Sequence, residues 1–163
     1  MIQVPEAAMG GLLRACEAAY PEEACGLLVG RRGADGGIEV DRIEASANLA
    51  RDRRHRFEVD PRLQIRLFRE LRGGPDQVVG LYHSHPDGRA LPSATDLARA
   101  WEPEFAWLIA AVHQGRAVAV RAHLLDRGDG GFREIRLQSP AGVPYLLAGA
   151  GGTQPRGGGG QGG

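Results

Sequence analysis

Residues 78–96 read VVGLYHSHPDGRALPSATD, and their reading decides the rest. Val78 to His85 is an apolar run of strand length, closed by Pro86. Successive side chains of a strand point to opposite faces, so His83 and His85 share one face. Pro86 ends the strand, which leaves both imidazoles at its C-terminal edge beside a loop. Pro86 to Pro92 is that loop. Ser93 then opens a helix over Ser93–Trp101, with Asp96 on its first turn, facing back toward the strand end. Two imidazoles and one carboxylate from a strand-loop-helix unit make a three-ligand metal site. Zinc suits such N/O ligands, and three protein ligands leave a fourth position for water, the mark of a catalytic rather than a structural site. The same Ser93-x-x-Asp96 spacing also fits a capping box, with Ser93 as N-cap and Asp96 reaching back to the Ser93 amide.

Outward from this unit the chain alternates helices and strands. Pro5 to Tyr20 reads as a helix, with Met9, Leu12, Leu13, Cys16 and Ala19 at helical spacing and Pro21 as its stop. Ala24–Val29 suits a buried strand. Gly33, Asp35, Gly36 and Gly37 supply a hairpin turn, and Ile38–Ala45 reads as the return strand. Asn48–Arg56 is a polar, arginine-rich loop, followed by a short strand at Phe57–Val59. Asp60-Pro61 is an N-cap followed by a first-turn proline, opening a helix with Leu63, Ile65, Leu67, Phe68 and Leu71 behind it. Gly73-Gly74-Pro75 ends that helix. Phe105–Val112, Ala117–Leu125 and Phe132–Leu137 read as three further strands. The expected fold class is therefore α/β. The domain is expected over residues 1–140, with 141–163 as a Gly-rich, disordered tail: nine of the sixteen residues from Ala148 to Gly163 are Gly, and such a segment loses much entropy on ordering and buries nothing.

Composition narrows the classes. A chain of 163 residues supports one domain, and 42% hydrophobic with 25% charged residues is ordinary for a globular protein. All 20 basic residues are Arg and the formal net charge is zero, which argues against a nucleic-acid or anionic-membrane binder. No run approaches the roughly 18 apolar residues of a membrane span, and Met1–Ala8 lacks the pattern of a secretory signal. Two cysteines, Cys16 and Cys25, do not make a disulfide framework, so a cytoplasmic location is expected. His55, His113 and His123 show no ligand spacing. Trp101 and Trp107 read as core or interface residues. The oligomeric state is open, a homo-oligomer included.

His83-Ser84-His85-Pro86 followed by Ser93-Ala94-Thr95-Asp96 resembles the zinc signature of the JAMM (MPN+) metalloisopeptidases. Pro21-Glu22-Glu23-Ala24-Cys25-Gly26-Leu27-Leu28-Val29-Gly30 resembles that family's first strand, in which a Glu precedes the Gly-Leu-Leu element by three positions; Glu23 holds that place. Asn48 and Phe57–Pro61 match further landmarks. The likeness runs from about Pro5 to Leu137. It is nearest to the short prokaryotic members acting on ThiS/MoaD-like sulfur carrier proteins, without the long insertions of eukaryotic deubiquitinases.

The resemblance implies an MPN fold, a curved mixed sheet flanked by helices with the zinc site at a strand end. One zinc ion per chain on His83, His85 and Asp96 would acidify a water. Glu23 would serve as general base and then acid, and Ser93 would share stabilisation of the oxyanion. The implied substrate is a ubiquitin-like or sulfur carrier protein, cleaved at the amide bond after its C-terminal Gly-Gly. Arg53 and Arg54, in the basic run Arg51–Arg56, and Arg89, in the loop between ligands, are candidate substrate contacts, since carriers often present acidic surfaces. The competing reading is a non-catalytic MPN scaffold for protein–protein interaction, but such modules typically lack the ligands present here. A nucleobase deaminase would need His-x-Glu and Pro-Cys-x-x-Cys, and neither occurs.

Overall fold

The computed structural model describes residues 1–100, 104–126, 128 and 130–145. Its strands form one eight-stranded mixed sheet in the order β7-β6-β5-β4-β2-β3-β1-β8. The elements run β1 (Ile2–Gln3), α1 (Glu6–Ala19), β2 (Cys25–Arg32), β3 (Ile38–Ser46), α2 (Pro61–Glu70), β4 (Gln77–Pro86), α3 (Ala94–Arg99), β5 (Ala106–His113), β6 (Arg116–Asp126), β7 (Gly131–Ile135) and β8 (Leu137–Gln138). β4 pairs with β2 antiparallel and with β5 parallel, which puts the histidine strand in the middle of the sheet.

Both faces of this centre are covered, so β2 is buried without alternation over Cys25–Gly30. On one face α1 packs Met9, Leu12 and Cys16 against Leu28, Tyr82 and Leu108. On the other, α2 lays Leu63 and Leu67 over Cys25, Leu27, Val29, Leu81 and Trp107. Asp60 caps α2 by accepting from the Arg62 N–H, with Pro61 in the first turn, as the sequence led us to expect. The apolar face of α2 is narrower than expected. Leu63 and Leu67, one turn apart, meet the sheet, whereas Ile65 and Phe68 are 51% and 69% exposed.

Three further differences have local causes. Phe57–Val59 does not form a strand of its own; a single bridge pairs Asn48 with Val59, because the segment lacks a second partner. The two-residue strands β1 and β8 were not anticipated, since two residues carry no period. They pair in parallel with each other, and β1 also with β3. The packed chain runs on to Tyr145, whose hydroxyl donates to the Val4 carbonyl and whose ring packs on the core. Residues 146–163, which hold most of the expected Gly-rich tail, and Trp101 lie outside the described residues.

Gly26 shows why the β2 motif needs its glycine. A Cβ there would lie 2.4 Å from both the Glu44 carbonyl oxygen and Tyr82 Cε1, within a fully buried layer. Gly26→Ala is therefore expected to lower unfolding stability by about 1–3 kcal/mol, read from urea unfolding. An unchanged midpoint would mean that the Tyr82 layer is looser than this packing.

Candidate metal centre

The register of the central strands assembles the site. His83 pairs with Cys25 of β2 and Ile109 of β5, and His85 with Ala111. Both imidazoles lie on the α2 side of the sheet, at the C-terminal end of β4. Ser84, between them, points to the α1 side. There its Oγ accepts from the Ala24 N–H at 2.8 Å, and its N–H donates to the Ala24 carbonyl at 3.0 Å. The serine thus ties the histidine strand to the residue after Glu23.

Asp96 reaches the same point from α3. His83 Nε2 and His85 Nε2 are 3.0 Å apart; Asp96 Oδ1 is 3.2 Å from the first and Oδ2 3.3 Å from the second. Zinc bonds of about 2.0–2.1 Å in a tetrahedron require ligand atoms about 3.3 Å apart. The two nitrogens and the two carboxylate oxygens that face them lie close to that spacing, and one ligand atom from each residue can be taken within 4.8 Å of the others. His83, His85 and Asp96 form the one group among the described residues with metal-binding geometry.

The orientation of each ligand is set from outside the triangle. His85 Nδ1 lies 2.8 Å from the Arg89 carbonyl, so Nδ1 carries the proton and Nε2 is free for a cation. His83 is fully buried. Its ring stacks on Phe57 at 4.4 Å and meets the edge of Trp107. Burial pushes its pKa down and keeps it neutral. Its Nδ1 has no hydrogen-bond partner among the described residues. For Asp96, burial alone would raise the pKa. The close His83 and His85 nitrogens and the Ser93 N–H outweigh it and hold the carboxyl far below the usual range. The capping box is real as well: Ser93 N and Oγ donate to Asp96 Oδ2 at 2.7 and 2.8 Å, while Ser93 Oγ accepts from the Asp96 N–H. Cap and ligand are one arrangement, because the cap bonds aim the carboxylate at the histidines.

Glu23 lies at the entry to β2 and is only 6% exposed. Burial pushes its carboxyl up to about 7; the neighbouring His85 opposes this and Asp96 adds to it. The charges of His85 and Asp96 reach that carboxyl, which is buried rather than out in solvent. Cys25 shares the His83 face, but its Sγ turns to the Ala47 and Glu58 carbonyls, and burial raises its thiol to about 11. It is a buried core residue. Arg89 serves the site through its carbonyl while its side chain is exposed, and Arg53 and Arg54 are exposed on the loop beside Glu22. Phe57, Ser84 and Trp107 were not singled out as site residues from sequence, because their contacts come from strand register and a loop return. Asn48 stood out only as a landmark.

Known proteins resemble this chain over most of its described length. Residues 5–123 match the family described as prokaryotic homologs of the JAB domain. A Haloferax volcanii protein named desampylase is 36% identical over 89 residues, 55% of this chain and 62% of its own length, so the match spans less than two thirds of that relative. A Mycobacterium tuberculosis protein named CysO-cysteine peptidase is 28% identical over 112 residues, 67% of this chain and 72% of its own. A solution structure from Desulfitobacterium hafniense superposes with a TM-score of 0.73 at 30% identity, covering 90% of this chain and 95% of that one. A JAB1/MPN domain protein from Archaeoglobus fulgidus shares the fold, with a TM-score of 0.51 at 18% identity over 84% of this chain and 97% of that one.

The raised pKa of Glu23 has a consequence for stability. Its folded value of about 7 lies above the ordinary value of 4.5, so the folded state favours the protonated acid. The stability this gives is full below about pH 4.5 and is lost as pH rises through about 7. Glu23→Gln should therefore stabilise the metal-free protein at pH 8, by up to about 3 kcal/mol. The gain over wild type should shrink toward pH 4.5. Thermal unfolding in chelator across this range checks it; a gain that does not vary with pH would contradict the buried carboxylate.

Proposed function

Since this chain belongs to the family of prokaryotic homologs of the JAB domain, we propose that it is a zinc-dependent peptidase. It hydrolyses the amide bond after the C-terminal diglycine of a ubiquitin-like or ThiS/MoaD-like sulfur carrier protein. The observation that carries this reading is the triangle of His83, His85 and Asp96 together with a buried Glu23 carboxyl that feels the charges of His85 and Asp96. The relatives named as a desampylase, a CysO-cysteine peptidase and a probable TtuB-protein conjugate cleaving protease support the choice of substrate class.

His83, His85 and Asp96 would hold the ion; bound zinc supplies Lewis acidity, acidifying a water and polarising the scissile carbonyl. Glu23 takes the proton of the attacking water on its carboxylate and returns it to the departing nitrogen. A carboxyl that exchanges protons near pH 7 suits both halves of that task. Ser93 is the candidate for stabilising the oxyanion. Its hydroxyl proton now goes to Asp96, so this role needs the hydroxyl to rotate toward the substrate, while the Ser93 N–H keeps its hold on the carboxylate. The exposed Arg53, Arg54 and Arg89 side chains present positive charge to an acidic carrier surface. The two cysteines, both free and buried, fit a reducing cytoplasm. No described helix is long and apolar enough to cross a membrane.

A diglycine-tailed carrier fused through its C-terminal amide to a reporter tests the reading. Cleavage is expected with zinc and not after chelation. Glu23→Gln should lose at least ~100-fold in kcat while still binding zinc. Cleavage that survives chelation, or a Glu23→Gln variant as fast as wild type, would overturn the mechanism.

A further inference from the structure

We propose that Asn48 is the positioning residue for Glu23, fastening the base to the arginine-rich loop. This role rests on the function proposed above and on a closed set of hydrogen bonds. Asn48 Nδ2 donates to the Glu23 carbonyl at 3.0 Å and to the Arg56 carbonyl at 2.9 Å. Asn48 Oδ1 accepts from the Ala50 N–H at 3.0 Å and the Glu58 N–H at 3.1 Å. Two donors and two lone pairs are the whole capacity of a carboxamide, and all are used within one loop and its neighbour. The Glu23 N–H in turn donates to the Arg53 carbonyl at 2.7 Å.

Both backbone groups of Glu23 are thus held by the 48–58 loop, and none by the sheet. The next residue, Ala24, is held at both its N–H and its carbonyl by Ser84 of the histidine strand. Glu23 therefore stands between two clamps, one on the metal strand and one on the loop. Its side chain is buried where freedom to search for a better position is small, so the place of its carboxyl follows the backbone. A shift of about 1 Å in a catalytic group is enough to lower rates by about 100-fold. The loop that supplies the second clamp exposes Arg51, Arg53 and Arg54 around a shallow surface pocket that includes Glu22. A carrier engaging those arginines presses on the segment that holds the base.

Asn48→Asp separates the parts. It keeps the two acceptors and removes both donors, setting a carboxylate against the Glu23 and Arg56 carbonyls. Asn48→Ser, small and without reach, covers the case in which the aspartate variant fails to fold. With the diglycine-reporter substrate, kcat is expected to fall at least ~10-fold with KM within about twofold and zinc binding unchanged. In a Glu23→Gln background the same change should alter the residual rate less than twofold, because the base it positions is gone. An equal loss in both backgrounds, or no loss in wild type, overturns the proposal. Amide hydrogen exchange decides independently of activity. The Glu23 amide should exchange at least ~10-fold faster in Asn48→Asp while the Ala24 amide, held by Ser84, does not change. If wild type leaves the reporter intact, the diglycine reading fails; unchanged Glu23 exchange then still overturns the clamp, and faster exchange confined to Glu23 still supports it.

Discussion

Two imidazole nitrogens and a carboxylate stand within 3.3 Å of one another in a site from which solvent is largely excluded, where an ionised carboxyl needs positive charge or donated protons beside it. The rest of the structure is arranged to hold that triangle. The strand register sets His83 and His85 side by side, and the covered sheet keeps that strand from moving. The capping box aims Asp96, the Arg89 carbonyl fixes the tautomer of His85, and the Phe57 stack fixes the plane of His83. A divalent cation would supply such charge, and the pKa values of Asp96 and Glu23 are displaced in opposite directions. One is bonded to donors and stays ionised; the other is buried with few partners and holds its proton to near neutrality.

The architecture that surrounds this point uses its two layers differently. The α1 side is a continuous apolar core through Leu12, Leu28, Tyr82 and Leu108, interrupted only where Ser84 bonds the Ala24 backbone. The α2 side is a smaller cluster in which Phe57 and Trp107 belong both to the core and to the wall around His83. Stability and ligand geometry therefore share residues on that side, while the α1 side bears most of the packing. Glu23 is the exception to economical packing, a buried carboxyl whose charge is costly to form.

Much of this was legible. The strand-loop-helix reading of residues 78–96, the helix over Pro5–Tyr20, the capped start at Asp60 and the long strands all rest on period, punctuation and cap chemistry, and these are local signals. The chain's resemblance to the JAMM family rested on the same stretch together with the Glu23 segment, and the match to prokaryotic homologs of the JAB domain over residues 5–123 bears that out. The misses have a common cause. β1 and β8 are too short to have a period, Phe57–Val59 lacked a strand partner, and the exposure of Ile65 and Phe68 depends on how wide a face the sheet presents to α2.

By itself the sequence determined which residue types could meet: a His pair on one strand face, a serine and an aspartate one helical turn apart, a glutamate just before a buried strand. Spacing within an element is fixed by helix and strand geometry, so those statements needed no tertiary information. Only the tertiary structure decided distances between elements. It placed Asp96 against both imidazoles, buried Glu23, turned Cys25 away, and brought Asn48 back across 25 residues to the Glu23 carbonyl. Those outcomes depend on strand pairing order and loop return, which long-range packing selects and which no local pattern encodes.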